Sequence, residues 1–170
     1  MSASRKLVVL AAGAHPDDIE IMMAGTLILF KEAGAEIHML NVLNGSCGTA
    51  EYSRKDIIRI RWKEAREAAK MIGATIHPPL FDDLGIFYDA KSQARVAARI
   101  REIKPDVVLT QSPEDYMEDH MITVRHIVTG FFCKGMRNLP TNPKRKSYQT
   151  DGVLYHALPH GLRDGLGKIV

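Results

Sequence analysis

The sequence predicts an α/β fold: a Rossmann-like, doubly wound and mostly parallel sheet in a single three-layer domain. Short apolar runs alternate with longer segments whose apolar residues recur at helical spacing, which is the pattern of repeated β-α-β units. The chain has 170 residues, of which 45% are hydrophobic and 25% charged, as in one ordinary globular domain. We therefore expect residues 1–170 to form one domain with no internal repeat.

Five strands are predicted from runs rich in Leu, Ile and Val. The first run is almost continuously apolar, as expected where both faces of a parallel sheet are covered. The third run contains Pro78 and Pro79, which lack a backbone N–H and indicate that this strand ends early. In chain order the predicted strands are Lys6–Ala12, Glu36–Leu43, Ala74–Phe81, Asp106–Thr110 and Gly152–Ala157.

Four helices are predicted between these strands. Gly34 and Gly73 stand where the first two helices should end, because glycine favours the position just after a helix. Ser53 is placed to cap the second helix, since a serine hydroxyl can accept from an unpaired N–H of the first turn. The predicted helices are Ile19–Lys31, Ser53 to about Ile72, Ala90–Ile103 and Asp119–Lys134.

Charge and cysteine content exclude several classes of protein. A net charge of +3 is too small to imply a nucleic-acid partner. The basic stretch from Lys134 to Gln149 has few aromatic residues for base stacking, so we interpret it as a solvated loop, with contact to an anionic substrate as the alternative. Cys47 and Cys133 form no CxxC pair, and no apolar run approaches the ~18 residues of a membrane helix. We expect a cytoplasmic protein without a membrane span.

Two polar clusters follow the first and fourth predicted strands. In an open α/β sheet, ligands bind beyond the carboxyl ends of the strands, where the strand order reverses. For the order 3-2-1-4-5, that crevice lies between strands 1 and 4. The sequence therefore predicts that residues 15–18 and residues 114–120 meet at one site.

The two clusters together contain the ligands of a candidate metal site. His15, Asp18 and His120 make a two-histidine, one-carboxylate set, and three such ligands with an open position are typical of catalytic Zn²⁺. Asp17 lies between two ligands and is placed to take a proton from water at the metal. The alternative is that His15 and Asp18 merely cap the following helix, with Asp17 favoured by the helix dipole.

The chain resembles the PIG-L / LmbE-like family of zinc-dependent deacetylases, which act on N-acetylglucosamine-type amides. The resemblance covers most of the chain, and its first and last motifs are specific to the family. The matching motifs are AHPDD at Ala14–Asp18, AGTL at Ala24–Leu27, RWKEAREAAKMIGA at Arg61–Ala74, KPDVVLT at Lys104–Thr110 and SPEDYMEDH at Ser112–His120.

The resemblance implies a hydrolase that removes an N-acetyl group from an amino-sugar conjugate, a linear, non-peptide amide. It implies that His15, Asp18 and His120 bind Zn²⁺ and that Asp17 is the general base. Arg61 matches an arginine that faces the substrate in relatives, although a helix-surface residue paired with Glu64 or Glu67 is an equal interpretation.

The sequence departs from the family's pattern in two places. Met117 stands where many relatives have a histidine that stabilises the oxyanion, and Tyr116, His156 and His160 are the alternative donors. Relatives also continue for tens of residues beyond the equivalent of Val170, which indicates a fragment, a cleaved product or a minimal form.

Two other functions remain open on the sequence alone. The first is a non-catalytic protein of the same fold that binds a metal or a sugar. The second is an Fe²⁺ oxygenase, because a two-histidine, one-carboxylate set also holds non-haem iron. Fe²⁺ is accordingly the alternative metal for the hydrolase, and a homo-oligomer is compatible with every one of these functions.

Overall fold

The computed structural model describes residues 5–157, and its central element is a five-stranded, wholly parallel sheet. Four α-helices and one short 3₁₀ helix connect the strands. The strands are β1 Val8–Gly13, β2 Glu36–Asn41, β3 Thr75–His77, β4 Val107–Thr110 and β5 Val153–His156. The helices are α1 Asp18–Glu32, α2 Arg54–Met71, α3 Ala90–Ile103 and α4 Glu118–Phe132, with the 3₁₀ helix at Cys133–Gly135.

The strand order is β3-β2-β1-β4-β5, which confirms the predicted doubly wound topology. Strand β1 lies at the centre, where Val9 pairs with Ile37 of β2 on one side and with Val107 of β4 on the other. After β1, the strands β2 and β3 are added on one side of the sheet, and β4 and β5 on the other, so the strand order reverses between β1 and β4. Because all five strands are parallel, the loops that follow β1, β2 and β4 meet at the same edge.

Alternate residues of β1 enter two separate hydrophobic cores. Leu10 and Ala12 pack with the apolar faces of α3 and α4, including Ile100 and Ile127. Val9 and Ala11 pack on the opposite face with residues of α1 and α2, among them Leu27 and Ala69. The all-apolar pattern of β1 follows from this burial on both faces, and it produces the three-layer architecture.

The predicted ends of several elements differ from the observed ones. Strand β3 ends at His77 rather than Phe81, because Pro78 and Pro79 cannot donate to the ladder; only an isolated bridge between Leu43 and Phe81 continues it. Helix α4 ends at Phe132, and the 3₁₀ helix takes up the last residues predicted as α-helical. Helix α3 has the predicted bounds, and β5 is shorter by one residue at each end.

The second helix begins with the predicted cap. The Ser53 hydroxyl accepts from the backbone N–H of Asp56, at 3.2 Å. Gly73 follows the helix with φ +63°, a conformation that glycine adopts without strain. Within residues 5–157, none of the helices is long and apolar enough to cross a membrane.

Candidate functional site

A cleft of about 620 Å³ opens at the carboxyl edge of the sheet. The loop after β1 forms one wall, the loop after β2 forms the second, and the start of α4 forms the third. This is the crevice between β1 and β4 that the topology predicts. The side chains that line it include His15, Asp17, Asp18, Arg61, Met117 and His120.

His15, Asp18 and His120 converge in this cleft. One ligand atom from each residue lies within 4.8 Å of the other two. His15 Nδ1 is 3.2 Å from His120 Nε2 and 3.7 Å from an Asp18 oxygen, while His120 Nε2 is 3.5 Å from the other Asp18 oxygen. Asp18 and His120 are buried, and the His15 side chain is 21% exposed. The predicted set of three ligands is therefore assembled at one point.

The outer nitrogen of each histidine is held by a buried carboxylate. His15 Nε2 lies 3.1 Å from Asp119 Oδ2, and His120 Nδ1 lies 2.8 Å from Asp115 Oδ2. An ionised carboxylate only accepts, so in the neutral tautomers these outer nitrogens carry the hydrogens. The inner nitrogens, His15 Nδ1 and His120 Nε2, then present lone pairs to each other and to the Asp18 carboxylate.

Three facing Lewis bases fit a metal ion. Two histidine nitrogens and one carboxylate oxygen are ligands that Zn²⁺ takes in catalytic sites, and histidines held by carboxylates are the usual arrangement around such ions. The donor set present in the described part of the chain is therefore suitable for a divalent cation, as the sequence predicts.

The surrounding charges also favour a cation. Burial lowers the pKa of His15, but the hydrogen bond to Asp119 and the charges of Asp18 and Asp83 outweigh it, so the pKa of His15 is raised above its usual value. Burial raises the pKa of Asp18 despite its hydrogen bond from the His15 backbone N–H. The carboxylates around His15 therefore stabilise a positive charge on its ring.

Asp17 precedes α1 with an unusual backbone conformation, φ 147°. Its side chain makes no capping hydrogen bond and is 52% exposed at the cleft. Its Oδ2 lies 2.6 Å from Nη2 of Arg61 on α2, and Arg61 Nη1 also donates to Glu64, at 2.8 Å. Asp17 is thus the residue that precedes the first turn of α1, but its side chain does not cap the helix. Arg61 lines the cleft and also pairs with Glu64.

The approach of α2 to the cleft depends on a glycine in the loop after β2. A Cβ atom added to Gly45 would lie 2.9 Å from Arg61 Cγ, and its φ of +75° disfavours other residues. The buried Asp83 carboxylate fixes this loop by accepting from the backbone N–H groups of Gly45 and Cys47, at 2.8 Å each. Asp83 therefore positions the second wall of the cleft.

Four supporting residues were missed by the sequence reasoning. Asp115 and Asp119 belong to the predicted acidic cluster, but nothing in their spacing separates them from Glu114 and Glu118. Gln111 accepts from the backbone N–H of Ala14, at 2.7 Å, and so fixes the start of the loop that carries His15. Its place directly after β4 is the signal that could have found it; Asp83, after β3, has an equivalent place.

Met117 and the alternative oxyanion donors lie in different places. Met117 lines the cleft, whereas Tyr116 and His156 are not among its lining residues, and His160 lies outside the described residues. His156 donates from Nδ1 to the Gln111 carbonyl oxygen, at 2.8 Å.

The remaining histidines make structural contacts. His126 is buried between Gln93 and the Phe87 carbonyl, and His38 and His77 pair with each other across β2 and β3. Cys47 and Cys133 are free.

The fold and this cluster define the class: a Rossmann-like α/β protein with a candidate metal centre at the carboxyl edge of its sheet. Comparison with known families identifies it further. The family described as GlcNAc-PI de-N-acetylase (PIG-L) matches residues 10–131, and the chain belongs to this family. The matched region includes every ligand of the candidate metal centre.

Individual relatives agree with this assignment. The chain is 30% identical over 115 residues to a diacetylchitobiose deacetylase of Thermococcus kodakarensis, covering 66% of this chain and 43% of the relative. It is 31% identical over 116 residues to the uncharacterized deacetylase YaiS of Escherichia coli, covering 67% of this chain and 55% of the relative. The chain therefore spans about half the length of these curated relatives.

A solved structure shares the fold. The N,N'-diacetylchitobiose deacetylase of Pyrococcus horikoshii, in complex with an inhibitor, superposes with a TM-score of 0.80 at 24% identity. The superposition covers 90% of this chain and 61% of the other. It confirms the predicted α/β architecture.

Proposed function

We propose that this protein is a metal-dependent hydrolase that removes the N-acetyl group from an N-acetylglucosamine-type amino sugar. The observation that carries the proposal is the convergence of His15, Asp18 and His120 in a cleft beside an accessible carboxylate. The family and the deacetylase relatives support the reaction, and the two diacetylchitobiose deacetylases support the type of sugar.

His15 Nδ1, His120 Nε2 and an Asp18 oxygen would hold the metal, for which we propose Zn²⁺. A bound zinc ion would act as a Lewis acid, lowering the pKa of water at the site to about 7 and polarising the amide carbonyl. Asp119 and Asp115 keep the two histidine rings in the tautomer that leaves the inner nitrogens unprotonated.

Asp17 is the proposed general base. Its carboxylate is half exposed at the cleft, so water can reach it, and it follows the metal ligand His15 by two residues. It would accept the proton of the attacking water as the new C–O bond forms, and then return that proton to the amine nitrogen as the C–N bond breaks. The products are acetate and a free amino sugar. Positioned acid–base groups of this kind contribute typically 10²–10⁴-fold to a rate.

Arg61 is the proposed substrate-binding residue. Its guanidinium lies at the cleft, 25% exposed, and contacts the Asp17 carboxylate. From this position it can donate to a sugar hydroxyl while it keeps the carboxylate of Asp17 in place.

The proposal is tested by the metal dependence of hydrolysis. The purified protein is depleted of metal with a chelator, assayed on N-acetylglucosamine and N,N'-diacetylchitobiose for release of amine and acetate, and reloaded with Zn²⁺ or, without oxygen, Fe²⁺. We expect activity to disappear on chelation and to return with Zn²⁺. His77→Gln, at a histidine remote from the cleft, is the control and should behave as the parent.

The second candidate is a non-catalytic protein that binds a metal or a sugar. Met117 favours it, because this side chain lines the cleft and cannot donate a hydrogen bond to an oxyanion. Tight Zn²⁺ binding without release of acetate from any amino sugar tested would establish this candidate and reject the hydrolase. Consumption of O₂ by the Fe²⁺ form would instead identify an oxygenase.

A further inference from the structure

A second cavity of about 420 Å³ adjoins the cleft. It lies at the carboxyl ends of β2 and β3, under the first half of α2. Its walls come from the loop after β2, from successive turns of α2 and from the proline pair after β3. Its size falls in the range of small-molecule pockets.

The second cavity and the cleft lie side by side. Pro16 lines both of them. On α2, Arg61 lines the cleft and its neighbour Trp62 lines the second cavity; after β2, Gly45 lines the cleft and its neighbour Asn44 lines the second cavity. Consecutive Cα atoms are only about 3.8 Å apart. A ligand bound in the cleft therefore lies next to the second cavity, with Pro16 at the border of both.

The lining of the second cavity is largely apolar. Leu43, Ile58 and Trp62 contribute hydrophobic surface, and Pro78 and Pro79 complete it. The Lys55 and Arg59 side chains, one helical turn apart, are exposed at its border, where their methylene stems can cover an apolar group. Such a lining suits an apolar or aromatic group and not a ring of hydroxyls, each of which needs a hydrogen-bond partner.

One polar group stands out in this lining. Asn41 is 2% exposed, and neither its Oδ1 nor its Nδ2 has a hydrogen-bond partner among the described residues. Buried amides normally have partners, and an unpaired one destabilises the fold. A buried, unpaired amide in a largely apolar wall can orient a mostly apolar ligand.

We propose that this second cavity binds the apolar aglycone, aromatic or short alkyl, of an N-acetylglucosaminide. The inference rests on the proposed function, which places the acetamido group of the sugar at the metal ligands. That group is attached to C2 of the sugar, and the aglycone is attached through oxygen to the adjacent carbon, C1. The aglycone of a bound substrate therefore begins within a few bonds of the cleft and reaches the cavity past Pro16.

Binding in the second cavity can be followed by tryptophan fluorescence, because Trp62 lines this cavity and is the only tryptophan of the chain. Emission excited at the indole is recorded while phenyl β-D-glucosaminide or glucosamine is added; neither ligand carries an acetyl group, so neither can be hydrolysed. We expect a saturable change with the phenyl glycoside and no change with glucosamine at the same concentration. The same response to both ligands, or a response to neither, would overturn the proposal.

The kinetic test compares two substrates of the proposed reaction. We expect kcat/KM for phenyl N-acetyl-β-D-glucosaminide to exceed that for N-acetylglucosamine by about 10-fold or more, because burying the ring adds binding energy. Trp62→Ala should reduce this ratio at least about 5-fold, and Ile58→Phe, which fills the cavity, should reduce it as well. Met71→Ala, at an 87% exposed position of the same helix, is the control and should leave the ratio unchanged.

The outcomes separate this proposal from the proposed function. A fluorescence response in a preparation that hydrolyses no amide supports the aglycone cavity and overturns the deacetylase. Hydrolysis without a response and without preference for the phenyl glycoside overturns the aglycone cavity alone. A preference for N,N'-diacetylchitobiose over the phenyl glycoside, lost in Trp62→Ala, would show that the cavity takes a second sugar and would also overturn the proposal.

Discussion

His15 and His120 face each other through their inner ring nitrogens, 3.2 Å apart, while a carboxylate holds the outer nitrogen of each ring. Two lone pairs at this distance repel each other unless a proton or a metal ion lies between them. The pairing thus explains why a cation between the two rings would be favourable, although the chain carries a net charge of +3. The two histidines differ in burial, because His120 is fully buried and His15 is not, so their substitutions should affect stability differently.

The first prediction concerns metal binding by the two histidines. His15→Ala should lose Zn²⁺ binding and keep its melting temperature within a few degrees of the metal-free parent, because His15 lies outside both hydrophobic cores. His120→Ala should also lose Zn²⁺ but melt lower, since it leaves the buried Asp115 carboxylate without this partner.

Zinc content by atomic absorption and thermal melting with and without Zn²⁺ provide the measurements. Bound metal should raise the melting temperature of the parent and of His77→Gln. An equal rise in His15→Ala would show that this residue is not a ligand.

The second prediction concerns Asp17. Asp17→Asn keeps the size of the side chain and can still accept from Arg61, but it cannot take a proton. We expect it to retain Zn²⁺ and to lose at least about 10²-fold in the rate of deacetylation. Rate and zinc content are measured in one preparation; hydrolysis at the parental rate would exclude Asp17 as the base.

The third prediction concerns Asp115, which holds the outer nitrogen of His120. Asp115→Asn removes the negative charge but leaves an oxygen that can accept from His120 Nδ1. We expect Zn²⁺ affinity to fall about 10–100-fold, as is usual when a carboxylate behind a metal-bound histidine is lost. Competition with a chromophoric chelator measures the affinity. Glu67→Gln, at an exposed carboxylate of α2, should retain the parental value.

The fourth prediction concerns the stability of the protein in acid. Burial, together with the charges of Arg99 and His38, lowers the pKa of His77 to about 4. Arg99 donates to His77 Nδ1 and so favours the neutral ring, while the Glu102 charge acts weakly in the opposite direction. Below about pH 6.5 the unfolded chain therefore binds a proton that the folded protein does not.

The His77 contribution to stability is thus complete above about pH 6.5 and is lost as the pH falls towards 4. The His77→Gln variant should remove this dependence, since glutamine can accept from Arg99 and donate to His38 without titrating. Urea unfolding of both metal-free proteins at pH 7 and pH 4.5 measures it. If the parent and His77→Gln differ in free energy of unfolding by the same amount at both pH values, protonation of His77 is not the cause of the pH dependence.

The strand order could be predicted because local patterns reveal the alternation of strands and helices, and β3-β2-β1-β4-β5 is a common order for that alternation. Each β-α unit is marked by an apolar run, a helical period and a terminal glycine or serine, and right-handed crossovers leave few ways to arrange them. The convergence of His15 and His120 could also be predicted, since His15 lies in the loop after β1 and His120 lies at the start of α4, which follows β4.

What the sequence could not provide are contacts that depend on exact side-chain direction. Asp115 and Asp119 stand in one acidic run, and only the turn before α4 decides which of its carboxylates reach the histidines. The pairing of Asp17 with Arg61 spans 44 residues and depends on how closely α2 packs against the loop after β2. The cavity around Trp62 depends on that same packing.

The backbone conformation of Asp17 lowers the stability of the folded protein at the residue proposed as the general base. At φ 147° an L-residue is sterically strained, by an amount of order 1–3 kcal/mol, and glycine is the residue that adopts this conformation freely. Asp17→Gly should therefore unfold at a higher temperature than Asp17→Ala, although neither can take a proton from water. The proposed base thus occupies a strained backbone position, and interactions elsewhere in the domain must offset that strain.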